Sequence, residues 1–426
     1  MKRYLWRGLD EGARRRLLAR PAQRRDETVV TRVTDIIDDV EKRGAAAVSD
    51  WSKRLDNFEP RLIALGATVV SAAREALDAA DTAALEIAID NVRLYHERTK
   101  PEDRSVEIRE GVICARRWRA IPSCGIYIPG GSAPLFSTLV MLAEPARIAG
   151  VKERIAVTPP DRNGGAHPMM ILAASLCGLE TLHLVGGAQA VAALAFGAGL
   201  PKADKIFGPG NAYVAEAKRQ IAARGFAAID LPAGPSELMV IADGAADAAV
   251  VAADLLSQAE HDATAQVIFV TNDEALIERV GAALSAQLST LPRAAIANAA
   301  LSNSAAIIVE DLEEAAAIAN AYAPEHLALQ TAEADALAGA IDNAGAIFIG
   351  GASAETFGDY ICGPSHVLPT DNAARVWSGV TTASFMKSVS VQTLSREGAA
   401  SLAGGAARLA RLEGLEAHAR AAEMRR

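Results

Sequence analysis

The fold class is decided by residues 154–207, which read RIAVTPPDRNGGAHPMMILAASLCGLETLHLVGGAQAVAALAFGAGLPKADKIF. Short apolar runs, which are typical of buried strands, alternate here with longer segments whose apolar residues recur every three or four positions, as in helices. The predicted order is strand 155–158, helix 167–177, strand 181–185, helix 189–196 and strand 205–207. This alternation is typical of a parallel sheet whose strands are joined by crossover helices.

The same alternation recurs in the second half of the chain. It predicts strand 238–241, helix 246–261, strand 266–270, helix 273–288, strand 305–309, helix 313–321 and strand 346–349. Residues 71–98 predict one long helix nearer the N-terminus. The predicted fold class is therefore α/β, with two Rossmann-like parallel-sheet domains and helical extensions at both termini. The expected units are an N-terminal helical extension at 1–24, a first α/β domain from 25–125 and 237–380, a second α/β domain at 126–236 and a C-terminal helical tail at 381–426.

The composition describes a large globular protein with an acidic balance. Its 426 residues are 50% hydrophobic, which suffices for two or three cores. The 43 basic and 52 acidic residues give a net charge of −9, which argues against nucleic acid or an anionic membrane as a partner. Four cysteines without paired spacing favour reduced thiols over disulfides. No run of 18 apolar residues occurs, and no apolar segment follows the N-terminal charges, so we expect a cytoplasmic protein.

Three glycine-rich turns each end a predicted strand and begin a helix. They are 128–132 (IPGGS), 185–189 (VGGAQ) and 207–211 (FGPGN). Backbone N–H groups in such turns can face a phosphate or a carboxylate. None of them matches the GxGxxG fingerprint of dinucleotide sites, and any one alone is more simply a plain turn.

Histidine is scarce in this chain, and its placement indicates the chemistry. Four of the seven histidines have a carboxylate or carboxamide within seven residues, namely His261, His326, His366 and His418. Imidazoles and oxygen donors build mixed metal sites and proton-transfer sites, because both groups bind cations or protons near neutral pH. The pattern predicts a metalloenzyme, although a single helical histidine is more often structural.

Candidate ligands fall into two pairs. Gln258 and His261 lie three residues apart on the predicted helix 246–261, so their side chains share one face. Asp359 and His366 flank a glycine-containing loop after a predicted strand, a common place for functional groups in α/β proteins.

Glu325 and His326 are the candidate acid–base pair. They precede the apolar run 327–329 and are therefore expected at the start of a buried element. Burial would raise the proton affinity of the carboxylate, as acid–base catalysis requires.

With these residues assembled, the chain closely resembles histidinol dehydrogenase from about residue 28 to residue 418. The motifs that carry the resemblance are GIYIPGGSAPL at 125–135, FGPGN at 207–211, IDLPAGPSE at 229–237, QAEH at 258–261, APEHL at 323–327, GDY at 358–360 and HVLPT at 366–370.

The resemblance implies an NAD-dependent, zinc-requiring enzyme that oxidises L-histidinol to L-histidine through L-histidinaldehyde, the last steps of histidine biosynthesis. His326 would accept the alcohol proton and Glu325 would activate the water that attacks the aldehyde. The implied zinc ligands are Gln258, His261, Asp359 and His418, and the implied NAD-binding residues, in the second α/β domain, are Tyr127, Gln189 and Asn211. The implied substrate-binding residues are Ser236, Gln258, His261, His326, Asp359, His366, Glu413 and His418.

A homodimer is the quaternary structure that the resemblance implies. The tail 381–426 would cross to the partner subunit, so that Glu413 and His418 complete the partner's site. Each active site would then be shared between two chains.

Two alternatives remain at this stage. The first is a related enzyme that oxidises another small polar alcohol, such as a sulfonated propanediol. It is raised by Ser365 and the polar stretch 371–374, which depart from the family's usual sequence near the substrate. Glu413 argues against it, because a carboxylate would repel a sulfonate. A zinc hydrolase is the other, since the same ligands beside a glutamate could activate water.

Overall fold

The computed structural model describes residues 1–20, 27–130, 134–231 and 234–426. The strands in these ranges are β1 (Lys2–Leu5), β2 (Arg61–Ala64), β3 (Arg104–Arg109), β4 (Val112–Ala120), β5 (Ser123–Tyr127), β6 (Glu153–Thr158), β7 (Thr181–Leu184), β8 (Lys205–Phe207), β9 (Ala228–Ile229), β10 (Glu237–Ala242), β11 (Gln266–Thr271), β12 (Ala305–Ile308), β13 (His326–Gln330), β14 (Ala346–Ile349) and β15 (Met386–Leu394).

The α-helices are α1 (Glu11–Leu17), α2 (Glu27–Arg43), α3 (Ala45–Asp56), α4 (Ala67–Glu75), α5 (Ala79–Arg98), α6 (Phe136–Ala149), α7 (Pro168–Leu176), α8 (Gly187–Phe196), α9 (Ala212–Ala223), α10 (Ala248–Ala259), α11 (Glu274–Leu288), α12 (Ala294–Ser302), α13 (Leu312–Tyr322), α14 (Ala334–Ala338), α15 (Glu355–Tyr360), α16 (Arg396–Leu412) and α17 (Glu416–Glu423). Among the described residues, no helix combines the length and apolar character that a membrane crossing needs.

Two six-stranded sheets confirm the predicted α/β class. The first sheet has the order β1-β12-β11-β10-β13-β14 and is parallel throughout. The second has the order β2-β7-β6-β5-β8-β9, with only the edge strand β2 antiparallel to its neighbour. Every residue of β10 and β11 is buried, as expected for strands that are covered by helices on both faces.

The division of the chain between the two sheets differs from the predicted domain boundaries. Residues 25–125 were expected beside 237–380, but β2 and β5 pair within the second sheet, and α2 and α3 pack on its helices α8 and α9. Val367 and Val380 also pack into the core of the second sheet. Sequence periodicity predicts helices and strands, but it does not show which sheet a helical segment packs on. The assignment of segments to domains therefore depended on tertiary contacts that the sequence does not reveal.

The terminal segments are not purely helical, contrary to the prediction. β1 pairs with β12 at the edge of the first sheet. β15 pairs with β4, which pairs with β3, in a third, antiparallel sheet. Only after β15 does the chain form α16 and α17, which pack mainly on each other.

Two predicted helices also have different bounds. The helix expected at 71–98 is interrupted, because α4 ends at Glu75 and α5 begins after Asp78. The helix expected at 246–261 ends at Ala259, so His261 lies in the following turn.

Candidate active site

The two candidate acid–base residues, Glu325 and His326, lie side by side at the amino ends of β10 and β13. Leu238 of β10 is opposite His326, the first residue of β13. Nδ1 of His326 is 3.1 Å from the carbonyl oxygen of Glu237, and the backbone N–H of Glu237 donates to Oε2 of Glu325 at 2.9 Å. The backbone of one residue therefore holds both side chains. This confirms that the pair starts a buried strand, as expected from the apolar run that follows it.

The proton of the neutral His326 imidazole can be assigned from these contacts. A carbonyl oxygen can only accept, so Nδ1 carries the proton and donates it to Glu237. Nε2 then holds a lone pair, and this buried atom has no hydrogen-bond partner within the described residues. It is therefore free to accept a proton from a bound molecule.

Burial controls the protonation of both residues. Desolvation lowers the pKa of His326 to about 4, so the imidazole is neutral at physiological pH. Desolvation raises the pKa of Glu325 well above its usual value, and the nearby carboxylates of Glu237 and Asp359 raise it further. A carboxylate with raised proton affinity is a stronger base than one in water.

Gln258 and His261 meet although they do not share a helix. Gln258 is the penultimate residue of α10 and is fully buried. The Gln258 amide lies between two imidazoles: one of its polar atoms is 3.1 Å from Nδ1 of His261, and the other is 3.1 Å from Nδ1 of His326. The predicted pairing of these two residues is therefore present.

Asp359 and Glu355 approach His326 from the short helix α15. Oδ1 of Asp359 is 3.8 Å from Nε2 of His326, whereas Oε1 of Glu355 is 3.7 Å from Nδ1. Glu355 is 1% exposed, and desolvation raises its pKa well above the usual range. Sequence reasoning missed Glu355. The signal available was its spacing of four residues from Asp359, which places both carboxyl groups on one helical face.

This cluster can be tested as a metal site. One ligand atom from each of His326, Glu355 and Asp359 lies within 4.8 Å of the others. However, the two carboxylates face different nitrogens of the His326 ring, which does not suit one ion bound to that ring. Gln258, His261 and Asp359 offer instead the mixed nitrogen and oxygen donors that zinc accepts, and they leave Nε2 of His326 available. The side chains of Gln258, His261 and Asp359 are therefore of the right types for three of the four ligands of a zinc ion, and a fourth ligand would have to come from elsewhere.

His366 connects the cluster to the unit that contains the second sheet. Its Nδ1 is 2.7 Å from the carbonyl oxygen of Asp359, and its Nε2 is 3.2 Å from Oγ1 of Thr138 on α6. The candidate site therefore lies where the two α/β units meet. Ser236 is also close, since it directly precedes Glu237 at the start of β10.

The remaining two predicted site residues are remote in this chain. Glu413 follows α16 and His418 lies within α17, and both are exposed. No hydrogen bond or ion pair joins either of them to the cluster in the part of the chain that the structure describes.

The candidate cofactor residues gather at the carboxyl ends of strands in the second sheet. Tyr127 ends β5, and its hydroxyl accepts from the N–H of Gly187 at 3.1 Å. Gln189 on α8 is fully buried and donates to Oδ2 of Asp56 at 3.0 Å, while its own oxygen has no partner within the described residues. β5 lies between β6 and β8, where the direction of strand succession reverses and α/β proteins commonly bind ligands.

Asn211 and the turn before it complete this edge. The Asn211 side chain caps α9, accepting from the N–H groups of Tyr213 at 3.1 Å and Val214 at 3.2 Å. A Cβ atom on Gly208 would lie 2.0 Å from the carbonyl oxygen of Tyr127, so only glycine permits this approach. Gly131 and Ser132 of the first glycine-rich turn lie outside the described residues.

Comparison with known proteins settles the family. The sequence profile described as histidinol dehydrogenase matches residues 18–426. The chain belongs to the histidinol dehydrogenase family. A histidinol dehydrogenase from Xylella fastidiosa is 45% identical over 426 residues, covering 100% of this chain and 99% of the relative. One from Escherichia coli is 44% identical over 422 residues, covering 99% of this chain and 96% of the relative.

A solved histidinol dehydrogenase has the same fold. The crystal structure of the protein from Elizabethkingia anophelis matches with a TM-score of 0.95 at 39% identity, covering 100% of this chain and 98% of that chain. Membership of the histidinol dehydrogenase family makes the chain an oxidoreductase and confirms the resemblance found in the sequence. It also argues against the hydrolase alternative.

Proposed function

We propose that this chain catalyses the NAD-dependent, zinc-requiring oxidation of L-histidinol to L-histidine through L-histidinaldehyde, as the last steps of histidine biosynthesis. The relatives that span its whole length are named histidinol dehydrogenase. The observation that carries the proposal is the buried pair Glu325 and His326, both of which bind the backbone of Glu237. Burial raises the pKa of Glu325 and lowers that of His326.

His326 is the base for the first oxidation. The carbinol carbon of histidinol loses a hydride to NAD, and its hydroxyl group loses a proton to Nε2 of His326. The products are the aldehyde, NADH and a proton held on the imidazole. Nδ1 remains bonded to the carbonyl of Glu237 throughout, so the ring is oriented before the substrate binds.

Glu325 is the base for the second oxidation. It removes a proton from water as the oxygen attacks the aldehyde carbon, which gives the hydrate. The hydrate then loses a hydride to a second NAD and a proton to solvent through the site, leaving the carboxylic acid. The raised pKa of Glu325 supports this role, because a carboxylate with a higher proton affinity is a stronger base toward water.

Gln258, His261 and Asp359 would hold the zinc ion, with His418 of a second subunit as the fourth protein ligand. When bound, the zinc ion would orient the substrate, whose amino and imidazole nitrogens can bind a metal. The support for this assignment is that the Gln258 amide lies 3.1 Å from Nδ1 of His261, and that Oδ1 of Asp359 lies 3.8 Å from Nε2 of His326. Ser236 and His366 would contact the substrate in the same pocket.

Tyr127, Gln189 and Asn211 would bind NAD. Their support is the convergence of three glycine-rich turns at one edge of the second sheet. His366 contacts Thr138 on α6, which follows the first of these turns, and thereby links the cofactor side to the segment that carries Asp359.

A homodimer with shared sites is supported by what this chain leaves exposed. Leu409 and Leu412 on α16 are 65% and 78% exposed, and Val106 and Ile108 on β3 are 57% and 60% exposed. Exposed apolar side chains of this size are common at interfaces. Glu413 and His418 would reach the partner's site from this surface, Glu413 as an anion for the substrate's positive charge.

The metal assignment is tested by zinc content. Purified wild type is expected to hold about one zinc per chain, and His261→Ala to hold little, with histidinol oxidation lost in parallel. His183→Ala is the matched control, because His183 lies on β7 and pairs with Leu62 at the far edge of the second sheet. A His261→Ala protein with full zinc, or a wild type that oxidises histidinol equally well after metal removal, would contradict the ligand set.

A further inference from the structure

Arg20 forms a buried ion pair next to the acid–base residues. It lies just after α1, and its guanidinium binds both carboxylate oxygens of Glu237, with Nε 2.8 Å from Oε1 and Nη2 2.7 Å from Oε2. The two side chains are 14% and 1% exposed. This two-point contact fixes the orientation of the guanidinium relative to the carboxylate as well as their distance, because two N–H groups of Arg20 bind the two carboxylate oxygens of Glu237.

The same guanidinium also contacts the segment that leads into Glu325. Nη2 of Arg20 is 3.3 Å from the carbonyl oxygen of Ala323, and its guanidinium carbon is 3.8 Å from the centre of the Tyr322 ring. Ala323 has φ of +52°, a left-handed conformation that a residue with a side chain adopts only when its surroundings hold it. Arg20 is part of those surroundings.

Glu237 transmits these contacts to the acid–base pair. Its N–H and carbonyl groups bind Glu325 and His326, and its side chain binds Arg20 and accepts from the N–H of Asp371 at 2.9 Å. Arg20 therefore joins the start of β10 to the turn that carries both residues. The N-terminal segment reaches the site without touching the reacting atoms.

We infer that Arg20 is a positioning residue that sets the geometry of Glu325 and His326 by clamping Glu237 to the turn at Tyr322 and Ala323. The inference rests on the proposed function. A purely structural ion pair would contribute only to folding, so that removing Arg20 would lower stability by leaving the Glu237 carboxylate unpaired and would not change turnover in the protein that stays folded. A positioning role instead predicts loss of turnover in protein that remains folded.

The test compares Arg20→Ala and Arg20→Lys with Arg7→Ala. Arg7 belongs to the same N-terminal segment, but its ion pair with Glu310, at 2.8 Å, is 64% and 62% exposed and remote from the pair. We expect kcat for histidinol to fall roughly 10- to 100-fold in Arg20→Ala, since a misplacement of about 1 Å can cost about 100-fold. The KM for histidinol and the zinc content should change less than about twofold.

Two rescue measurements separate positioning from folding. Arg20→Lys should recover part of kcat, because an ammonium restores the charge but not the fork. Guanidinium chloride at low millimolar concentration should raise the turnover of Arg20→Ala and leave Arg7→Ala unchanged. Wild-type kcat in folded Arg20→Ala would overturn the inference, as would wild-type kcat in Arg20→Lys if the alanine variant does not fold.

Hydrogen exchange tests the clamp independently of the substrate. Backbone amides in residues 322–327 should exchange at least about tenfold faster in Arg20→Lys than in Arg7→Ala. Equal exchange in the two variants would overturn the inference. Absence of histidinol oxidation in the wild type would refute the proposed function alone, because the exchange comparison does not require turnover.

Discussion

Replacing Glu325 by glutamine should separate the two oxidation steps. The amide has the shape of the carboxyl group, and its oxygen can still accept from the N–H of Glu237, a contact of 2.9 Å in the wild type. The site geometry should therefore persist, while the ability to remove a proton from water is lost. Because a positioned general base contributes roughly 100- to 10,000-fold, aldehyde oxidation should fall by about that factor.

The first hydride transfer should change by less than about tenfold in the same variant, because His326 and its bond to Glu237 remain. The assay supplies histidinol and histidinaldehyde separately and follows NADH by absorbance. Wild type should form about two NADH per histidinol, whereas Glu325→Gln should form about one and release aldehyde that a hydrazine trap captures. A His326→Asn variant is the counterpart and should lose the alcohol step.

Stability provides a second measure of the same substitution. Burial raises the pKa of Glu325 in the folded protein, so the unfolded chain releases this proton at lower pH than the folded protein does. The wild type should therefore lose stability as pH rises above about 4.5, by roughly 1.4 kcal/mol per unit of pKa difference. Glu325→Gln avoids this loss, and its metal-free form should be more stable than metal-free wild type at pH 8. Equal losses of both oxidation steps in Glu325→Gln and His326→Asn would refute the division of roles.

Three further predictions concern other parts of the molecule. Lys218→Met should lower the free energy of unfolding, measured in urea, by about 3 kcal/mol. The reason is that Lys218 and Asp230 form an ion pair in which the side chains are 3% and 1% exposed, so the substitution leaves a buried carboxylate unpaired. An unchanged midpoint of urea unfolding would contradict this. Burial lowers the pKa of His96 to about 4 in the folded protein, so below about pH 6.5 the unfolded chain takes up a proton that the folded protein does not. The free energy of unfolding should therefore fall by up to about 3 kcal/mol between pH 6.5 and pH 4. It should fall less over this range in His96→Asn. Mixed dimers of His261→Ala and His418→Ala, verified with tagged chains, should restore at most about a quarter of wild-type activity, and inactive mixed dimers would place His418 in its own chain's site.

The central strands could be predicted because their sequences are continuous apolar runs. β10 and β11 fall where the alternation placed them, within one residue at each end. β15 was wrongly expected to be helical. Eight of its nine residues are exposed, and its conformation comes from pairing with β4 rather than from a buried face. β1 was missed for the same reason, since its pairing with β12 is a tertiary contact.

The site was predictable where neighbours in sequence carry the chemistry. Glu325 and His326 adjoin each other before a buried strand, and Gln258 and His261 are three residues apart, so their proximity follows from local structure. Arg20 gave no such signal, and the only sequence signal for Glu355 was its spacing of four residues from Asp359. Each acts through a partner distant in sequence, and the functional ends of β10 and β13 proved to be the amino ends rather than the carboxyl ends expected for this class.

The most direct test of the central claim is the number of NADH molecules formed per L-histidinol by the purified chain, measured before and after zinc is removed with a chelator. We predict about two NADH per histidinol, loss of this activity in the metal-depleted protein, and its return when zinc is added. No NADH formation with histidinol, or full activity without metal, would contradict the account.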